Sequence, residues 1–233
     1  MSFNSILDND FYKFTMQYAV IKLYPDTVAC YEFINRGAHE FPEGFAEALR
    51  EKLNHMSELK LTSEERKYLD ETLPYLNSAY LDFLQGYRYD PSEVEIEQNG
   101  TELSVKIQGY WYRTILWEVP ILSWISELYY EMTQQQRGSD SEVVEIVKRK
   151  AQSYLELGVK VAEFGTRRRH SYEVHTIVAD ALKKYGGNSY VGTSNVHLAM
   201  KTKVKPIGTH AHEWFMYHGA RFGFKVANGI SLD

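Results

Sequence analysis

The sequence predicts an α/β protein, with an α+β front half followed by what reads as the first part of an incomplete α/β barrel. Three observations carry this prediction. A helical stretch and a strongly alternating hairpin fill residues 44–107. From residue 159 short apolar runs alternate with helix-period segments, the pattern of right-handed crossovers in a parallel sheet or barrel. Three of those runs end in Gly-Thr and then turn polar: Phe164-Gly165-Thr166-Arg167-Arg168-Arg169, Val191-Gly192-Thr193-Ser194-Asn195 and Ile207-Gly208-Thr209-His210-Ala211-His212-Glu213. Ligands bind at the C-terminal strand edge of parallel α/β architectures, so these strand ends point to a site for an anionic ligand.

The elements follow in order. Asp10-Phe11-Tyr12-Lys13-Phe14-Thr15-Met16 reads as a helix start with Phe11, Phe14 and Tyr18 on a buried stripe, and an exposed Tyr12 would suit stacking on a flat aromatic ligand. Within 44–84, Phe45, Leu49, Leu53 and Met56 repeat at threes and fours, and Thr62 with Glu65 is a capping-box signal. In 93–107, Val94 and Ile96 share one face, Asn99-Gly100 supplies the tight turn, and Leu103, Val105 and Ile107 return. A helix is expected from about Pro120 to Met132, with proline near its first turn. The polar stretch 134–141 is the best boundary, giving an N-terminal domain over 1–135 and a catalytic domain over 136–233. That second part should hold strands at 159–164, 189–191 and 204–207, and helices at 172–184 and 196–203. A closed eight-unit barrel takes roughly 200–250 residues, so three units make either a small open sheet or part of a larger barrel, and an incomplete catalytic domain is the favoured expectation.

Composition narrows the function. A formal net charge of −5 argues against a nucleic-acid or anionic-membrane binder. The single cysteine, Cys30, excludes an intramolecular disulfide framework and a cysteine-rich zinc site. The amino terminus lacks a basic-then-apolar signal, and the longest apolar stretch, 115–130, is broken by Glu118, Pro120, Ser123 and Glu127; a soluble cytoplasmic protein is expected.

Two clusters carry candidate chemistry. The planar, permanently charged forks of Arg167, Arg168 and Arg169 suit carboxylate and phosphate oxygens. An arbitrary arginine triplet is more often a salt-bridged surface; its place after Phe164-Gly165-Thr166 favours a ligand, with one of Arg168 and Arg169 on phosphate and the other structural. His210, His212, Glu213 and His218 could supply a nucleophile or acid–base group. Their spacing fits neither the His-Glu-x-x-His zinc helix nor a cysteine-assisted metal site.

Five segments, Asp10-Phe11-Tyr12-Lys13, Leu116-Trp117-Glu118-Val119-Pro120, Phe164-Gly165-Thr166-Arg167-Arg168-Arg169, Val191-Gly192-Thr193-Ser194-Asn195 and Gly208-Thr209-x-Ala211-His212-Glu213-Trp214, make the chain resemble the nicotinate phosphoribosyltransferase family over nearly its whole length. The resemblance implies a type II phosphoribosyltransferase fold and synthesis of nicotinate mononucleotide from nicotinate and 5-phosphoribosyl 1-diphosphate in NAD salvage. It further implies Mg²⁺, ATP hydrolysis through a phosphorylated histidine at His212, and a homodimer with a shared site. Tyr12 of the partner subunit would stack on one face of the pyridine and Phe164 on the other. Arg167 and Thr209 fall at nicotinate-contacting positions, and Asp10, Lys13, Thr166, Asn195 and Glu213 at supporting ones. The related nicotinamide enzyme carries an acidic side chain where this chain has Ser194; a neutral Ser194 beside Arg167 favours a carboxylate. The competing readings are a nicotinamide or quinolinate phosphoribosyltransferase, a non-catalytic fragment or partner subunit of such an enzyme, and a nucleic-acid module built on the arginines and 18 tyrosines.

Overall fold

A computed structural model describes residues 3–232. Helix α1 (Phe11–Leu23) is followed by strand β1 (Val28–Glu32), then helices α2 (Phe45–His55), α3 (Ser63–Thr72) and α4 (Ser78–Gly86). The hairpin β2 (Val94–Asn99) and β3 (Glu102–Tyr110) leads through the short α5 (Trp111–Thr114) into α6 (Glu118–Met132) and α7 (Asp140–Glu156). The remainder is β4 (Val161–Glu163), α8 (Tyr172–Tyr185), β5 (Tyr190–Thr193), α9 (Val196–Thr202), α10 (His212–Phe222) and α11 (Phe224–Leu232).

Local signals explain most of the front half. Thr62 and Glu65 form the reciprocal capping box at the start of α3, an arrangement whose loss costs about 1 kcal/mol. A second box, Ser139 with Glu142, starts α7. β1 and β2 flank β3 in an antiparallel sheet, order β1-β3-β2. Val94, Leu103, Val105 and Ile107 point into the main core with Phe45, Leu49, Leu53, Trp111 and Trp117. The hairpin turn lies one residue later than predicted: Asn99 pairs with Glu102, so Gly100 and Thr101 form the loop. Gly100 takes φ +59, the conformation that glycine adopts without a Cβ penalty.

In the second half β4 and β5 pair in parallel, as the βα alternation requires. The expected strand at 204–207 is reduced to one parallel bridge, Thr193 to Pro206. Proline has no N–H to give a ladder, yet the hydrogen bonds Thr193 N to Lys205 O and Ile207 N to Thr193 O keep the segment beside β5. Its closeness explains Gly192. This residue has φ +139, and a Cβ there would meet the Lys205 carbonyl oxygen. Gly192→Ala should therefore lower stability by about 1–3 kcal/mol, measurable as a drop in the urea unfolding midpoint; an unchanged midpoint would mean that the 204–207 segment yields freely.

The amino-terminal segment is stitched to the second half before α1 begins. His197 N donates to Leu7 O (2.9 Å), Val196 N to Asn9 O (3.2 Å) and Phe11 N to Ser194 O (2.7 Å). Asp10 and Asn195 form an antiparallel bridge. Residues 7–11 thus run along the exit of β5, and α1 starts from the same strand edge as the predicted site. Among the described residues no helix is long and apolar enough to cross a membrane.

Candidate functional site

The exits of β4 and β5 and the bridged segment 204–207 lie close to α1 and the start of α6. After β4 the chain makes a helical turn over Thr166–Arg168, held from α6 by Ser123 Oγ donating to Thr166 O (2.7 Å) and Ser126 Oγ to Arg169 O (2.9 Å). Glu163, the last residue of β4, accepts from Thr193 Oγ1 (2.5 Å) and from Gly165 N, and lies 2.9 Å from His175 Nε2. Burial alone would raise its pKa, but His175, Thr193 and Gly165 pull it below the usual carboxylate value. Glu163 therefore fastens the two strand ends together.

The arginine triplet divides into three environments. Arg169 is buried; its guanidinium grips both Asp8 oxygens (2.8 and 3.0 Å) and its Nε donates to Glu127 (2.6 Å). Arg168 is exposed. Arg167 is half-buried, with Nη1 on Glu118 Oε1 at 2.9 Å and Nε 3.6 Å from Asp10 Oδ2. Arg167 and Arg168 line a cavity of about 410 Å³ that Arg36, from the loop after β1, also borders. Three guanidinium groups on one cavity make it suited to an anion. Arg36 was not singled out from the sequence, because nothing local marks a lone loop arginine. Beside them the Phe164 ring is 42 % exposed.

Asp10 and Ser194 lie next to Arg167. Ser194 is fully buried and its hydroxyl donates to Asp10 Oδ1 (2.8 Å). Burial raises the Asp10 pKa, with Ser194, Arg167 and Thr166 opposing. Asn195 caps α9 through Leu198 N and donates to Asp8 Oδ1 (2.6 Å) and Thr166 Oγ1 (3.3 Å). Asn195 and Thr166 are accordingly the mortar between the amino-terminal segment and two strand ends.

Lys13 is fully buried on α1, and its Nζ contacts Glu118 Oε2 and Glu213 Oε2, the latter at 2.8 Å. Burial would lower its pKa, but Glu213 and Glu118 raise it above the ordinary lysine value. Glu213 also accepts from Tyr31 Oη and Trp111 Nε1. An alternating line of charge results: Asp10, Arg167, Glu118, Lys13, Glu213. The line ends at the first turn of α10, whose first residue, His212, is exposed. Thr209 and His210 are exposed just before it and border a pocket of about 260 Å³ with Tyr12 and Trp214.

Tyr12 is not the exposed ring that would suit stacking: it is only 7 % exposed and borders the pocket with Thr209 and His210, and α1 is tied to Ser194 through Phe11 N. Burial pushes the Tyr12 hydroxyl up to about 12. His218, grouped with His212 by sequence, is buried, hydrogen-bonded to Trp214 O (2.7 Å) and Tyr24 Oη (2.9 Å), and belongs to the packing of α10. Among the described residues no group of three or more His, Cys, Asp or Glu is arranged to hold a metal ion.

Residues 7–126 match the family profile described as nicotinate phosphoribosyltransferase (NAPRTase) N-terminal domain, and residues 159–228 the profile of the nicotinate phosphoribosyltransferase (NAPRTase) family. The chain is similar to the nicotinate phosphoribosyltransferases of Chromohalobacter salexigens, 57 % identical over 99 % of this chain, and Desulforapulum autotrophicum, 48 % identical over 98 %. It covers 59 % of the length of each. The crystal structure of nicotinate phosphoribosyltransferase from Porphyromonas gingivalis superposes with a TM-score of 0.95 at 44 % identity, over 99 % of this chain and 59 % of that one. The corresponding structure from Vibrio cholerae superposes with a TM-score of 0.90 at 30 % identity, over 100 % of this chain and 57 % of that one. With both halves matched in sequence and fold, the chain belongs to the nicotinate phosphoribosyltransferase family.

Proposed function

We propose that the polypeptide containing this chain joins nicotinate to 5-phosphoribosyl 1-diphosphate, forming nicotinate mononucleotide and pyrophosphate in the cytoplasm. The observation that carries this reading is that the exit of β4 carries both an exposed Phe164 and a half-buried Arg167 held by Glu118. An aromatic face and a guanidinium together suit a flat ring bearing a carboxylate. Arg36 and Arg168, on the same cavity as Arg167, supply positive charge for the phosphates of the second substrate. Displacement at the ribose C1 passes through an oxocarbenium-like state, so the residues act chiefly by positioning the ring nitrogen and stabilising the departing anion.

Ser194 enters the proposal through Asp10. Its hydroxyl occupies one Asp10 oxygen, and a neutral side chain there adds no further negative charge beside Arg167. A carboxylate substrate is favoured over an amide on that account. The site is proposed to be shared in a homodimer, with the partner subunit's Tyr12 on one face of the pyridine and Phe164 on the other. ATP coupling is assigned to phosphorylation of His212. Mg²⁺ would supply charge neutralisation for the diphosphate; the described residues offer no three-ligand cage, and Asp10 and Glu118 are already engaged by cations, so no protein-held position is assigned to it.

The test is product formation by the full-length polypeptide with nicotinate, nicotinamide or quinolinate as acceptor. Nicotinate mononucleotide should dominate. Arg167→Ala should raise KM for nicotinate by roughly tenfold to a hundredfold, the value of a lost charge-assisted hydrogen bond. A preference for nicotinamide or quinolinate in the unaltered protein would replace the reading with one of the sister activities.

A further inference from the structure

Glu118 is the carboxylate that touches both cations of the site, and the proposed chemistry gives it no part. It opens α6 and is half-buried, with Oε1 on Arg167 Nη1 at 2.9 Å and Oε2 on Lys13 Nζ. Burial would raise its pKa, but Lys13 and Arg167 hold it below the usual carboxylate value. Each oxygen is thus committed to a different cation, one facing the cavity and one sealed in the interior. On Arg167, Nη1 is taken by Glu118 and Nε faces Asp10 at 3.6 Å, while Nη2 has no hydrogen-bond partner among the described residues.

We propose that Glu118 is the positioning residue for substrate-acid recognition, pinning Arg167 by Nη1 so that Nη2 is the end offered to a carboxylate. A guanidinium held at one nitrogen and flanked at another loses most of its rotational freedom before the ligand arrives, which reduces the ordering cost of binding. Lys13 keeps Glu118 from swinging toward Arg167, because the same carboxylate must satisfy a lysine that has no water to turn to. Lys13 is in turn fixed by Glu213. The acid-binding arginine is therefore anchored, through three ionic contacts, to the helix turn that carries His212.

Glutamine is the informative replacement. It keeps the shape of Glu118 and one acceptor oxygen, but its amide nitrogen is a donor and must face one of the two cations. One of the two contacts is then lost and Arg167 is released or Lys13 left half-paired. Aspartate keeps both acceptors on a side chain one methylene shorter.

The inference rests on the nicotinate reading, and its test separates the two. Initial rates of the full-length polypeptide are measured with nicotinate varied at saturating 5-phosphoribosyl 1-diphosphate and the reverse, alongside thermal melting. If the unaltered protein does not turn over nicotinate, the functional reading falls and this inference falls with it. If it does, Glu118→Gln should raise KM for nicotinate by about tenfold or more, leave KM for 5-phosphoribosyl 1-diphosphate within about twofold and change kcat by no more than about threefold. Glu118→Asp should recover most of the loss in nicotinate KM. An unchanged nicotinate KM in Glu118→Gln, or equal losses for both substrates that track a lowered melting temperature, would overturn the positioning role and leave Glu118 as packing.

Discussion

Arg169→Met should cost about 3–5 kcal/mol of folding stability, the usual consequence of breaking a buried ion pair from one side, even though Arg169 belongs to the arginine run at the candidate site. The side chain is 1 % exposed and Asp8 is 0 % exposed. The guanidinium spans two carboxylates, bidentate on Asp8 and single on Glu127, and lies over the rings of Phe3 (4.6 Å) and Tyr172 (5.3 Å). Burial would lower the Arg169 pKa, yet Asp8 and Glu127 raise it further above its ordinary value, so it stays charged at any accessible pH. Methionine would fill the space and leave two buried carboxylates without their cation. A domain holds only about 5–15 kcal/mol in total, so the loss should appear as a large fall in the urea unfolding midpoint. Arg169→Lys should restore little, because one ammonium cannot bridge both carboxylates with the same fork. Arg168→Ala, at an exposed position, should stay within about 0.5 kcal/mol of the parent. If Arg169→Met matched Arg168→Ala in midpoint, the buried pairing would have no energetic weight.

The division of labour in that triplet shows where sequence reasoning stops. The Gly-Thr strand ends, the capping box of Thr62 and Glu65, and the alternation of Leu103, Val105 and Ile107 are written in local patterns, and local physics realises them: period two for strands, a reciprocal cap for a helix start. Which arginine turns inward is not local. It depends on Asp8, some 160 positions earlier, arriving at the exit of β5 through backbone pairing of residues 7–11 with 194–197. The same long-range pairing sets the start of α1, and with it Tyr12, beside Thr209 and Trp214. Glu118 stands in the segment 116–120, but its two ionic contacts need cations from distant segments, Lys13 and Arg167. Arg36 had no signal at all. The shortened strand at 204–207 had one in plain view: Pro206 removes a donor where a ladder would need it.

His212→Ala is expected to separate stability from activity. His212 is the exposed first residue of α10, while its neighbour Glu213 carries the anchoring contacts to Lys13, Tyr31 and Trp111. The turn is therefore held by residue 213 and presents residue 212 outward beside Thr209 and His210. Removing an exposed imidazole should move stability by no more than about 0.5 kcal/mol. If ATP coupling runs through this side chain, phosphoryl transfer to the protein from γ-labelled ATP should disappear, and ATP should no longer accelerate formation of nicotinate mononucleotide. The helix start adds backbone N–H groups and a favourable dipole for the negative charge that a phosphate would bring, so the loss should be of the covalent step and not of the helix. Glu213→Gln should show the opposite pattern: it weakens the hold on a buried lysine and should lower the melting temperature, while the imidazole remains present to be phosphorylated. Undiminished ATP-stimulated turnover in His212→Ala would remove the residue from the chemistry and shift attention to His210, the other exposed imidazole on the same loop.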